Sequence, residues 1–122
     1  MKVLMKQTII KRGDIFWIDF DPAKGTEIQK KRPALVCSHD IMNENSSRII
    51  VAPITSNLKK IYSFEYALKD HFDVKGKIML DQIRAVDKSR VGDKLGDLSL
   101  KEMQEVESIL KFVLGIQSGV FN

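Results

Sequence analysis

Arg32 stands directly before Pro33, Thr55 and Ser56 close the run Val51-Ala52-Pro53-Ile54, and Glu27 lies on the polar segment ahead of Arg32. A hydrophobic core needs none of these groups, but a site that holds a phosphate does. Arginine stays charged and presents a planar fork of donors that matches phosphate oxygens. A hydroxyl at a strand end can donate to the same oxygens, although it more often only caps a turn. Glu27 could serve as a general base or simply pair with Arg32 across their shared loop. Asp81 lies between Leu80 and Ile83 in a run that alternates like a strand, where an acid is disfavoured unless paired or functional. Arg84 or a lysine would be its structural partner.

With RNA as substrate this set makes chemical sense. Attack of a ribose 2′-hydroxyl on the adjacent phosphorus needs a base for the hydroxyl, an acid for the leaving oxygen, and cationic donors for the phosphorus oxygens. No cofactor or metal is implied. His39 and His71 belong to no ligand-spaced cluster, and a single cysteine, Cys37, argues against a structural zinc site. The phosphate-binding glycine loops and the G-x-S-x-G elbow are absent. Cys37 follows Ala34-Leu35-Val36 and reads as a buried strand residue rather than a nucleophile.

The elements that must position these groups follow from the apolar pattern. Residues 14–21 alternate, with Phe16, Ile18 and Phe20 on one face, and predict a half-buried strand ended by Pro22, with Gly25 turning the loop beyond. Residues 34–37 are continuously apolar and predict a buried strand entered at Pro33. Residues 40–48 read as a polar loop with room for one helical turn. Residues 49–54 form another apolar strand, whose Pro53 suggests an edge or a bulge. Residues 63–68 alternate as a strand, residues 74–77 suggest a tight turn, and residues 78–86 read as one further strand. Within it Ile78, Leu80, Gln82, Arg84 and Val86 share a face. Ser99 and Glu102 have capping-box spacing, Met103, Val106, Leu110 and Val113 recur at helical spacing, and Gly115 is placed as the stop. The sum is about five short strands in hairpin-like order with a C-terminal helix, a mainly β fold bent into a partly closed barrel.

The 122 residues suit a single domain, residues 1–122, with residues 1–10 as a leader and 117–122 as a tail. No apolar run is long enough for a membrane span and no export signal is apparent, so the cytoplasm is the expected compartment. The net charge of +4 permits an anionic partner without proving one. Lys24, Lys30, Lys31 and Arg32 crowd one loop opposed only by Glu27, while Lys88, Arg90 and Lys94 form a second, mixed region.

Several ordered blocks resemble the MazF/PemK family of toxin endoribonucleases. They are R-G-D-I-F-W-I-D-F-D-P-A-K-G-T-E over residues 12–27, K-R-P-A-L-V over 31–36, V-A-P-I-T-S over 51–56, D-Q-I-R-A-V-D over 81–87 and L-G-D-L-S over 95–99. The resemblance runs from about residue 11 to 116. It implies an SH3-like barrel with a C-terminal helix, acting as a homodimer. It also implies metal-independent cleavage of single-stranded RNA at a short sequence, leaving a 2′,3′-cyclic phosphate and a 5′-hydroxyl, and a cognate antitoxin whose flexible tail covers the groove. Carried onto this chain, Arg32 matches the catalytic arginine and Thr55 the threonine that supports the phosphate. Glu27 and Asp81 match acids used by different members. Lys24, Lys31, Ser56 and Gln82 are the expected substrate contacts. In some members an arginine lies just before the D-Q step; Met79 and Leu80 stand there instead, which shifts weight to Arg32.

A different class remains open. The related CcdB toxins share the fold but act without catalysis, by binding DNA gyrase, and in such a protein Arg32 and Thr55 would be dispensable. A plain RNA-binding barrel is weaker, since few aromatics lie outside the apparent core for bases to stack on.

Overall fold

The computed structural model describes residues 8–20, 31–69 and 74–117. Pro22, Lys24, Gly25, Glu27, Lys30 and His71 lie outside the described residues, as do 1–7 of the leader and 118–122 of the tail. Seven strands among the described residues form one antiparallel, strongly bent sheet: β1 (Asp14–Asp19), β2 (Lys31–Val36), β3 (Arg48–Thr55), β4 (Glu65–Ala67), β5 (Lys77–Met79), β6 (Arg84–Asp87) and β7 (Val91–Asp97). The order is β4-β5-β3-β2-β1-β7, with β6 also paired to β3, so the sheet curls into a partly closed barrel whose ends do not meet.

Two cores lie on opposite faces. One gathers Ile15, Leu35, Ile54, Ile78 and Leu80 under the helix α2 (Leu100–Leu114), which contributes Met103 and Val106. The other gathers Phe16, Ile18, Ala34, Val36, Val51 and Val86. Each fully buried Ile, Leu or Phe contributes about 1.5–3 kcal/mol. β1 is therefore buried on both faces, with Trp17 its exposed residue, and not half-buried as its alternation suggests. The covering helix makes the difference.

β3 is central, not an edge. It pairs with β2 along one side and with β6 and then β5 along the other. The Cys37 amide donates to the Ile50 carbonyl at 2.8 Å, so alternate residues Ile50, Ala52 and Ile54 bond toward β2. The nitrogen of Pro53 faces the other side, where the partner changes, and no ladder bond is lost. That change also corrects the reading of residues 78–86 as one strand. Between Ile54↔Ile78 and Val51↔Arg84 the partner chain advances six residues while β3 retreats three. The 3-10 turn Leu80–Gln82 takes up the excess.

One further element fills the helical turn its sequence left room for, and another departs from expectation. Residues 40–48 hold a true short helix, α1 (Asp40–Asn45), capped by His39, whose Nδ1 accepts from the Ile41 amide at 3.0 Å. β7 escapes the pattern altogether. Its sequence V-G-D-K-L-G-D carries two glycines and no alternation, and it forms as an edge paired to β1 through register shifts. α2 matches its signals: Ser99 and Glu102 close the capping box, and Gly115 ends the helix at φ 68°.

The R-G-D step is a brace. The Arg12 guanidinium pairs with Glu107 of α2 at 2.6 Å and donates to the Cys37 carbonyl at 3.1 Å. Its amide donates to Asp40 at 2.7 Å, and this bond leads the effects that lower the Asp40 pKa. One residue thus ties β1, β2, α1 and α2 together. Burial pushes the Cys37 thiol up to about 12 despite the Arg12 charge beside it, which makes it a poor nucleophile.

Candidate active site

Arg32 stands at the start of β2 and Thr55 at the end of β3. Continuing the β2–β3 register from Ala34↔Pro53 sets Arg32 opposite Thr55. Both lie on the sheet face away from α2, at the rim of the second core. Together they line a cleft of about 340 Å³ with Phe20, Pro53, Met79, Gln82 and Arg84. Each part arrives by a local cause. Phe20 extends the alternating face of β1. Gln82 is delivered by the 3-10 turn, and Arg84 by β6 just beyond it.

Two guanidinium groups dominate the cleft. The Arg84 Cζ lies 5.4 Å from the centre of the Phe20 ring, a cation–π contact that holds the charge over the opening. Arg32 is partly buried, and among the described residues it has no hydrogen bond or ion pair. No carboxylate is on the described lining. Two cations on one cleft, with no ion-pair partner among the described residues, call for an anion, and the fork geometry fits phosphate.

Thr55 is held on two sides. Its Oγ1 accepts from the Asn57 amide at 3.3 Å, which leaves its proton available to a ligand. Its carbonyl is backed by Gly76, at φ +148°, where a Cβ would stand 2.3 Å from the Thr55 oxygen. Lys77, the cross-strand partner of Thr55, is itself anchored. Its ammonium meets Glu65 at 2.8 Å and donates to the Lys60 carbonyl at 2.5 Å. Burial works against the Glu65 charge, but Lys77 and the Tyr62 amide outweigh it and leave the carboxyl pKa lowered. This buried pair therefore secures both the Thr55 backbone and residues 57–64.

The structure thus brings together Arg32, Thr55 and Gln82. Lys31 and Ser56 line an adjoining cleft that shares Arg32. Asp81 is exposed in the 3-10 turn, one residue before Gln82, and is not on the lining of either cleft. It sits in no strand and makes no ion pair with Arg84 or any described lysine; Arg84 turns to Phe20 instead. Glu27 and Lys24 lie outside the described residues. Arg84 is the cleft residue the motif reading passed over as a site candidate. Its signal was present, since the alternation places it on one face with Gln82. Among the described residues no three His, Cys, Asp or Glu side chains group as a metal-binding set.

Residues 11–114 match the model of the PemK-like, MazF-like toxins of type II toxin-antitoxin systems. The chain is 34% identical to endoribonuclease MazF9 of Mycobacterium tuberculosis, over 90% of this chain and 100% of that protein. It is 35% identical to endoribonuclease EndoA of Bacillus subtilis, over 88% of this chain and 97% of that one. Among solved structures, MazF in the MazE-MazF complex of Deinococcus radiodurans superposes with a TM-score of 0.80 at 31% identity, covering 91% of this chain and 100% of that chain. The chain belongs to the PemK/MazF toxin family.

Proposed function

We propose that this chain is a sequence-specific endoribonuclease toxin that cuts single-stranded RNA without a metal and so blocks translation and growth. The observation that carries it is the Arg32 guanidinium, unpaired among the described residues, set beside Thr55 and Arg84 in a cleft with no carboxylate on its described lining. The relatives named endoribonucleases support the class of reaction.

The 2′-oxygen attacks the adjacent phosphorus, an O–P bond forms, and the bond to the 5′-oxygen breaks. The products are a 2′,3′-cyclic phosphate and a 5′-hydroxyl. Arg32 and the Thr55 hydroxyl donate to the non-bridging oxygens as charge gathers there. Arg84 adds a second positive charge in the same cleft. Glu27, on the segment joining β1 to β2, takes the proton of the 2′-hydroxyl, and Arg32 delivers one to the leaving oxygen. Gln82, Lys31, Ser56 and Lys24 contact flanking nucleotides. Asp81 stays outside the proton transfers.

A cognate antitoxin covers this cleft, as the solved complexes of MazF relatives with MazE suggest. The active form is a homodimer, and it acts in the cytoplasm where mRNA is found. Among the described residues no helix is long and apolar enough to cross a membrane. The test is cleavage of a long RNA by the wild type and by Arg32→Ala. Losing one well-placed transition-state donor should lower kcat about 10²–10³-fold. Undiminished cutting by a folded Arg32→Ala protein would remove Arg32 from the chemistry.

A further inference from the structure

Trp17 is the only tryptophan of the chain and is 40% exposed on β1. It stands where the β1–β7 ladder shifts register between Phe16 and Ile18. On one side it pairs across the ladder with Pro33. On the other, Gly92 offers no side chain, and a Cβ there would lie 3.3 Å from the Trp17 Cβ. An indole left uncovered at this cost in apolar exposure has one face in a second cleft of about 340 Å³.

That cleft lies on the other face of the sheet, with Pro33 and Ile54, and meets the scissile one at the strand ends, where Arg32 is on the lining of both. Its other walls are Pro33, Ile54 and Ser56, with Lys31 and Lys75 at hand. It therefore combines an aromatic face, an apolar floor, a hydroxyl and three cations, with no carboxylate on its described lining. The cleft beyond Trp17 differs. There Asp19 and Asp93 offset Lys31 and Arg90, and Arg90 approaches Asp19 at 4.0 Å. A phosphate suits the cleft lined by Ser56 and Lys75 and not the one lined by Asp19 and Asp93.

We propose that the Trp17 cleft is a nucleotide subsite next to the scissile phosphate, in which a base stacks on the indole while Lys31 and Lys75 hold the neighbouring phosphate. This subsite rests on the ribonuclease reading above. It would make Trp17 and Lys75 contributors to substrate affinity rather than to the choice of sequence. Stacking on an aromatic tolerates any base, so the edge contact of Ser56 would carry the selection.

The single tryptophan supplies the probe. The RNA segment cut by the wild type is first mapped, then made with one 2′-deoxy sugar at the cut so that it binds without reacting. Titrating this oligonucleotide should quench Trp17 fluorescence. Trp17→Ala should raise KM roughly 5- to 150-fold, from the ~1–3 kcal/mol of a base–aromatic stack, with kcat nearly unchanged. Trp17→Phe should recover most of the affinity. Lys75→Gln should lower the slope of log affinity against log salt by about 0.7. The subsite is refuted if the wild type cuts and Arg32→Ala does not, yet Trp17→Ala cuts with wild-type KM and the oligonucleotide leaves the fluorescence unmoved. Quenching by the antitoxin alone, with RNA kinetics unchanged, would likewise overturn it and assign the cleft to protein. Failure of the wild type to cut any RNA would instead strike the ribonuclease reading itself.

Discussion

Arg32 and Arg84 occupy one cleft, and their roles should separate. In the proposed mechanism Arg32 meets the reacting phosphate through a fork of donors, so Arg32→Lys should restore little, because an ammonium cannot reproduce bidentate geometry. Arg84, held over Phe20, would act mainly through charge. Arg84→Gln should weaken RNA binding and reduce the salt slope by about 0.7, read from cleavage rates between low and moderate salt. An unchanged slope would place Arg84 away from the backbone of the RNA. The sequence made Arg32 and Thr55 visible because each departs from what its strand needs for packing. It showed Arg84 on a face with Gln82 but gave no reason to single it out, because an arginine on a strand is commonplace; the 3-10 turn at Leu80–Gln82 and β6 bring both residues to the cleft. Asp81 drew attention for the complementary reason: an acid looks costly in a strand, but the turn exposes it and removes the cost.

At the scale of elements, β3 is the strand on which the site depends. It delivers Thr55, and its end is fixed by Gly76 and Lys77. Gly76→Ala would combine a left-handed backbone with a Cβ 2.3 Å from the Thr55 carbonyl oxygen. It should cost roughly 1–3 kcal/mol in a urea titration and reduce cleavage, since Thr55 must shift. The buried Glu65–Lys77 pair has a pH signature. The Glu65 pKa is lowered in the fold, so its contribution is present above the ordinary glutamate value of 4.5 and is lost as pH falls through the lower folded value. Lys77→Ala should cost roughly 3 kcal/mol at neutral pH by stranding the carboxylate. Glu65→Gln should flatten the fall of stability on acidification, measured as urea midpoints across the acid range; an equally steep fall would mean that other carboxylates carry it. Strands β1 to β3 and the capped helix were legible because apolar periodicity and capping chemistry are local. The split of residues 78–86 and the edge strand β7 were not, because both follow from registers set by a distant partner strand.

The whole molecule leaves apolar groups on its surface at the end of α2, with Phe112, Leu114 and Ile116 all more than half exposed. Their exposure on so small a barrel agrees with a partner surface, and light scattering should return about twice the 13.9 kDa chain mass. A monomeric mass at micromolar concentration would contradict the dimer. The fold class was readable from the sequence because strand signals, a terminal capped helix and ordered motif blocks agree with one another. The cleft itself was not readable, since it arises where four strands, a turn and the residue after β1 converge.

The most direct measurement is cleavage of a long single-stranded RNA by the purified protein in excess EDTA, with Arg32→Ala alongside and mass spectrometry of the new ends. Discrete cuts ending in 2′,3′-cyclic phosphate, lost in the folded variant, are the expected result. No cleavage by folded wild type, cleavage only with added metal, or equal cleavage by the variant would contradict the proposed mechanism, and the first of these outcomes would bring a gyrase-binding toxin forward.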